Sequence, residues 1–260
     1  MNAEALPAGA TEQGRMTLME HLIELRRRLI ITLSAVCVAG VAGWFLYPWV
    51  SDFLLRPYQA IASKSIAGGN LIATSPVEGF AVRIRITMYV AIAFAMPVIL
   101  WQIWRFVSPG LYKHERRYAL PFIFSALALF SLGAGIAYWT LPKALEWLAN
   151  VGGNNITQAY TADKYYQLIA YMMLAFGICF EFPILLIFLQ MAGIVSNQTL
   201  RKYWRHAIVV IAIVVAVATP SNDPISMLAL SIPLWIFYGV AVLFGAVRDR
   251  RRNRAAANAR

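Results

Sequence analysis

Six uncharged apolar runs divide this chain, at residues 29–50, 86–104, 118–142, 165–194 (broken only by Glu181), 207–218 and 224–247. A helix rising 1.5 Å per residue needs ~20 residues to cross ~30 Å of hydrocarbon, and five of the six runs match that length. Unsatisfied peptide groups are too costly in lipid for such runs to be loops, so each is expected to be helical. The hydrophobic content of 60% over 260 residues agrees, standing above the ~45–50% of an ordinary soluble domain. The expected fold class is an all-α polytopic membrane protein with six transmembrane helices in one domain.

Basic residues set the expected orientation, because cytoplasmic loops retain Lys and Arg. With the N-terminus inside, only Arg56, Lys64, Arg83, Arg85, Lys143 and Lys164 of the 23 Lys and Arg fall outside. Both termini are therefore expected in the cytoplasm. The chain divides into a disordered tail (1–16), a six-span membrane domain (17–247) and a basic cytoplasmic tail (248–260). The first run has 22 residues, longer than the ~7–15 of a signal-peptide core, and is read as a retained span. A net charge of +11 could suggest nucleic acid, but the positive charge lies in short juxtamembrane segments and suits anionic lipid instead. Cys37 and Cys179 both fall inside spans, which argues against a structural disulfide.

Local signals refine the picture. Thr17-Leu18-Met19-Glu20 has a capping-box pattern, and Leu18, Leu22, Leu25 and Leu29 recur at helical spacing, so an amphipathic helix on the inner surface leads into the first span. An outer stretch from Ser51 to Arg85 contains Pro57 and Gly68-Gly69, and Ser75-Pro76-Val77-Glu78 forms a second capping box that starts the second helix well outside. A further outer loop is expected over 143–164. The run 207–218 covers only about 18 Å as helix, so the fifth span should be short. Pro97, Pro121, Pro183 and Pro233 fall within spans and favour kinks, giving a concave bundle.

Two carboxylates stand among the cations of the inner side. Glu24 has Arg27 and Arg28 three and four residues later, a local pairing worth a few tenths of a kcal/mol. Glu115, in Lys113-His114-Glu115-Arg116-Arg117, sits near the start of the third helix, where the helix dipole favours an acid. Both are also acceptors suited to the planar fork of an external guanidinium. Glu181, in Phe180-Glu181-Phe182-Pro183, lies deep in the fourth run. A charged residue there costs ~2.5–3.5 kcal/mol on insertion scales, so it must be protonated, hydrogen-bonded or facing a water-filled cavity. Asp223 occupies a tight turn that accommodates Asp. His21, His114 and His206 show no metal-ligand spacing, and neither a phosphate-binding loop nor a hydrolase motif is present, so no cofactor or metal is expected.

The segments His21-Leu22-Ile23-Glu24-Leu25-Arg26-Arg27-Arg28, Phe106-Val107-Ser108-Pro109-Gly110-Leu111-Tyr112-Lys113-His114-Glu115-Arg116-Arg117 and Phe180-Glu181-Phe182-Pro183 closely resemble the TatC family, over roughly residues 16–247. The resemblance implies a receptor subunit of the twin-arginine translocase that binds twin-Arg signal peptides of folded cargo through Glu24 and Glu115, with Leu25, Arg26 and Phe106 in support. It assigns intramembrane or partner roles to Pro57, Tyr138, Glu181 and Asp223. It further implies single-span TatA- and TatB-type partners, homo-oligomers within the complex, a location in the cytoplasmic membrane and transport driven by the proton-motive force. The chain departs from the family pattern at Ser221-Asn222, at Met227, where some relatives carry Gln, and near Phe237-Tyr238-Gly239, where some carry an acid.

Two other classes compete. A proton-coupled solute transporter would use Glu181 as proton carrier, and the absence of an internal repeat weighs against the inverted-repeat form of that class. A membrane-embedded protease would need catalytic pairings that the sequence does not offer.

Overall fold

The computed structural model describes residues 18–65, 71–107, 119–151, 160–191 and 193–258. Among the described residues eight helices follow in order: α1 (Leu18–Ser65), α2 (Glu78–Val107), α3 (Ala119–Val151), α4 (Ala162–Phe180), α5 (Phe182–Met191), α6 (Asn197–Lys202), α7 (Trp204–Ala218) and α8 (Pro224–Asn258). Five stretches are long and apolar enough to cross a membrane: α1, α2, α3, the α4–α5 pair and α8; α7 is the shorter sixth. At 15 residues α7 reaches about 22 Å, short of ~30 Å of hydrocarbon as expected. The start of α1, the end of α2, the start of α3, the end of α5 and all of α6 gather at one end with the arginine-rich end of α8, here called the basic end.

Several boundaries differ from expectation. The stretch after Ser51 is not a loop: α1 runs unbroken for 48 residues through Pro48 and Pro57. Burial of Leu54, Tyr58 and Ile61 in the main core explains this, since the outer third of α1 packs against the rest of the bundle. Likewise α3 continues through Pro142 to Val151 because Ala144 and Leu145 are buried. Pro97 and Pro233 lie within continuous helices, and Pro121 falls in the first turn of α3, where no backbone donor is required. Only Pro183 accompanies a break. Pro183 cannot donate to the carbonyl of Cys179, and the Glu181 N–H bonds the Cys179 and Ile178 carbonyls instead, where α4 ends at Phe180 and α5 begins at Phe182. The basic tail is helical to Asn258, as a continuation of α8. The expected N-terminal tail, Thr17 and Gly68-Gly69 lie outside the described residues.

The two prolines of α1 leave carbonyls without their helical donor, and other helices supply one. Pro48 cannot donate to the carbonyl of Trp44, and the Arg83 guanidinium on α2 does so at 3.2 Å while lying 4.2 Å over the Trp44 ring. Pro57 cannot donate to the carbonyl of Phe53; the Tyr138 hydroxyl on α3 donates there at 2.9 Å, its ring stacked on Phe53 at 4.4 Å.

Two glycines let helices α3 and α4 approach closely. A Cβ on Gly133 would stand 2.6 Å from the Phe176 carbonyl oxygen, and one on Gly177 would stand 2.6 Å from the Phe130 ring. Small residues at such crossings let backbones touch where lipid offers no hydrophobic drive to associate.

At the end opposite the basic one, the segment before α2 and the start of α4 are clasped together. Ile72 donates its N–H to Tyr160 O and accepts from Ala162 N, each at 3.0 Å. The Glu78 carboxylate, 6% exposed, accepts from Thr74 N at 2.6 Å and from Asp163 N at 2.9 Å, and Arg85 pairs with Asp163. Glu78 takes the Ser75 backbone hydrogen bond that a capping box requires, and its carboxylate reaches beyond it to Thr74 and to a second helix. Burial also raises the Tyr160 phenol above its usual range.

Candidate signal-binding site at the basic end

Glu24 lies in the second turn of α1 and Arg28 one turn further along the same face. Arg28 Nη2 donates to Glu24 Oε1, so the local pairing considered from the sequence forms. Arg28 Nη1 also reaches Gln102 Oε1 on α2 at 3.5 Å. The pair is largely enclosed, with side-chain exposures of 14% for Arg28 and 20% for Glu24. Enclosure has not satisfied it: Glu24 Oε2 and Arg28 Nε are buried without a hydrogen-bond partner among the described residues. The carboxylate is therefore half engaged, with one oxygen on Arg28 and the other unused.

The contact between Arg28 and Gln102 fixes the register of two antiparallel helices. One turn toward the basic end from Arg28 is Glu24, and one turn toward it from Gln102 is Phe106; helical rise puts Glu24 and Phe106 at one level. Leu25 and Arg26 are exposed beside Glu24. Glu115 lies in 108–118, outside the described residues, in the segment that joins the end of α2 to the start of α3. Gln102 was not anticipated as a site residue. Its signal was available: it is the one strongly polar side chain in the apolar run 86–104, placed a turn from the basic end.

Farther along the bundle, toward the opposite end, an apolar groove of about 200 Å³ lies among α1, α2, α3 and α4, lined by Val50, Phe53, Ile86, Phe94, Phe130 and Met173. Glu181 sits half-buried at the α4–α5 break, its Oε1 without a partner among the described residues. Phe180 beside it packs edge-to-face on Phe237 of α8 at 5.4 Å.

The remaining expected positions are accounted for by local structure. Pro57 and Tyr138 meet at the Phe53 carbonyl. Asp223 is 0% exposed and caps α8, accepting from Ser226 N at 2.7 Å and from the Ser221 hydroxyl. Asn222 before it adopts φ 47°, in the left-handed region that Asn tolerates.

Fold and site define a polytopic helical membrane protein with a cation-rich end that holds the enclosed Glu24–Arg28 pair. A family model described as Sec-independent protein translocase protein (TatC) matches residues 20–233. The chain is 40% identical over 248 residues to the Sec-independent protein translocase protein TatC of Frankia casuarinae, covering 92% of this chain and 68% of that protein. The TatC protein of Helicobacter pylori strain 26695 is 34% identical over 242 residues, covering 91% and 92%. A crystal structure of the twin-arginine translocase receptor TatC superposes with a TM-score of 0.74 at 34% identity, covering 88% of this chain and 99% of that one. The chain belongs to the TatC family, a component of a protein translocase.

Proposed function

We propose that this chain is the receptor subunit of a twin-arginine translocase and that its basic end reads the paired arginines of signal peptides on folded cargo. The observation that carries this is the half-engaged Glu24 carboxylate, held at the level of Phe106 with one oxygen unused. An arginine fork is the ligand whose geometry such an oxygen pair matches. Glu115 is the second acceptor, with Leu25 and Arg26 flanking the first. The apolar part of the signal follows the groove lined by Phe53, Phe94 and Phe130, and Glu181 supplies a polar contact to an intramembrane partner segment.

The basic end faces the cytoplasm of a cell membrane, with both termini inside, in keeping with its arginine content. Single-span partners of the TatA and TatB type dock along the bundle, further copies of this chain join the complex, and the proton-motive force supplies the energy. Pro57, Tyr138 and Asp223 serve this role by fixing the outer frame.

The test is equilibrium binding of a twin-Arg peptide and its twin-Lys counterpart to the wild-type chain, Glu24→Gln and Glu115→Gln. The expected result is about a tenfold or greater loss of twin-Arg affinity in each variant. Unchanged affinity and unchanged Arg-over-Lys preference in both would reject the proposal.

A further inference from the structure

Glu24 already holds an arginine of its own chain. We infer that Arg28 is a resident competitor for the Glu24 carboxylate, which an incoming guanidinium displaces and which sets the affinity threshold of the site. This rests on Glu24 being the acceptor for a signal arginine.

The geometry of the resident pair supports displacement. Arg28 uses one nitrogen on one oxygen of Glu24; Glu24 Oε2 and Arg28 Nε remain without partners among the described residues. A guanidinium and a carboxylate can close two parallel hydrogen bonds, and this pair closes one. Both side chains stand on one helix at a four-residue spacing, which limits how their planes align. A signal arginine approaches without that tether and can complete the fork.

Arg28 thereby sets the threshold that every ligand of Glu24 must exceed. A ligand's net gain is its own contact with Glu24 minus the contact it removes. A forked guanidinium exceeds the single-point resident contact. A lysine ammonium offers a single-point contact at best and is more strongly hydrated, so it only matches what it must remove.

Displacement also needs somewhere for Arg28 to go, because a cation at 14% exposure cannot be left bare. Gln102 provides the place. Its Oε1 stands 3.5 Å from Arg28 Nη1, longer than a good hydrogen bond, and Gln102 is itself buried at 8% exposure. A small movement of Arg28 away from Glu24 tightens that bond as the other is lost. Gln102 is thus a positioning residue that acts through Arg28.

The test uses the full chain in lipid nanodiscs with twin-Arg and twin-Lys peptides. Arg28→Gln should tighten twin-Arg binding about tenfold and twin-Lys binding by as much or less, because the contact removed is the same for both. Gln102→Leu should weaken both peptides several-fold, about threefold or more, because the displaced guanidinium loses its acceptor. Should Arg28→Gln not fold, Arg28→Met, which removes the charge and keeps the apolar stem, is expected to tighten twin-Arg binding likewise. Unchanged or weaker twin-Arg binding in the variant measured would overturn the inference. Glu24→Gln run in parallel separates the two ideas: retained twin-Arg binding there overturns the acceptor role itself, whereas lost binding there with unchanged twin-Arg affinity in Arg28→Gln overturns only the competitor.

Discussion

The Tyr138 hydroxyl donates to the Phe53 carbonyl across 2.9 Å, at the one carbonyl that Pro57 leaves without a helical donor. A proline in α1 and a tyrosine in α3, far apart in sequence, are one structural device. Tyr138→Phe keeps the ring stack and removes the donor, so stability should fall by about 0.5–1.5 kcal/mol, seen as a lower unfolding midpoint in detergent. In a Pro57→Ala background, where the backbone can donate to Phe53 O, the same change should cost much less. Equal costs in the two backgrounds would dissolve the link.

The contact of α3 with α4 leaves no space at Gly177, where an added Cβ would stand 2.6 Å from the Phe130 ring. Gly177→Ala should therefore destabilise the bundle by about 1–3 kcal/mol, as overpacked sites do. Phe130→Leu should relieve part of that loss when combined with it, which a double-mutant cycle measures directly.

Glu78 joins the segment before α2 to the start of α4 through Thr74 and Asp163. Glu78→Gln exchanges an ionised acceptor for a neutral one opposite three backbone donors, so the unfolding midpoint should fall. Limited proteolysis should show faster cleavage near residue 72 while peptide binding at the other end stays as in wild type.

At the α4–α5 break, Glu181 Oε1 has no partner among the described residues. An intramembrane acid costs ~2.5–3.5 kcal/mol on insertion scales, so Glu181→Leu should raise the unfolding midpoint of the isolated chain. Export by the assembled translocase should fall at the same time. A variant that is neither more stable nor less active would remove Glu181 from the proposed partner contact.

Much of this architecture was legible from the sequence because membrane burial acts on whole runs of residues: the six apolar runs and the short α7 appear where lipid demands them. The helix ends were not, because they depend on packing. Tyr58 and Ile61 hold α1 helical past Pro57, and Leu145 does the same for α3 past Pro142, through contacts with residues distant in sequence. The pairing of Glu24 with Arg28 was readable from a spacing of four, whereas its contact with Gln102 required the register of α1 on α2. Asp223 shows the same division: its place in a turn was clear, and its role as the buried cap of α8 needed the fold.

The central claim is that the paired arginines of a signal meet the Glu24 end of the bundle. Its most direct test places a photoreactive residue beside the arginine pair of a signal peptide and maps the adducts by mass spectrometry. Adducts should fall on the Leu22–Arg28 turns of α1 and the last turn of α2 around Phe106, and should vanish in Glu24→Gln. Adducts of equal yield in that variant, or adducts at the Glu78–Asp163 end, would contradict it.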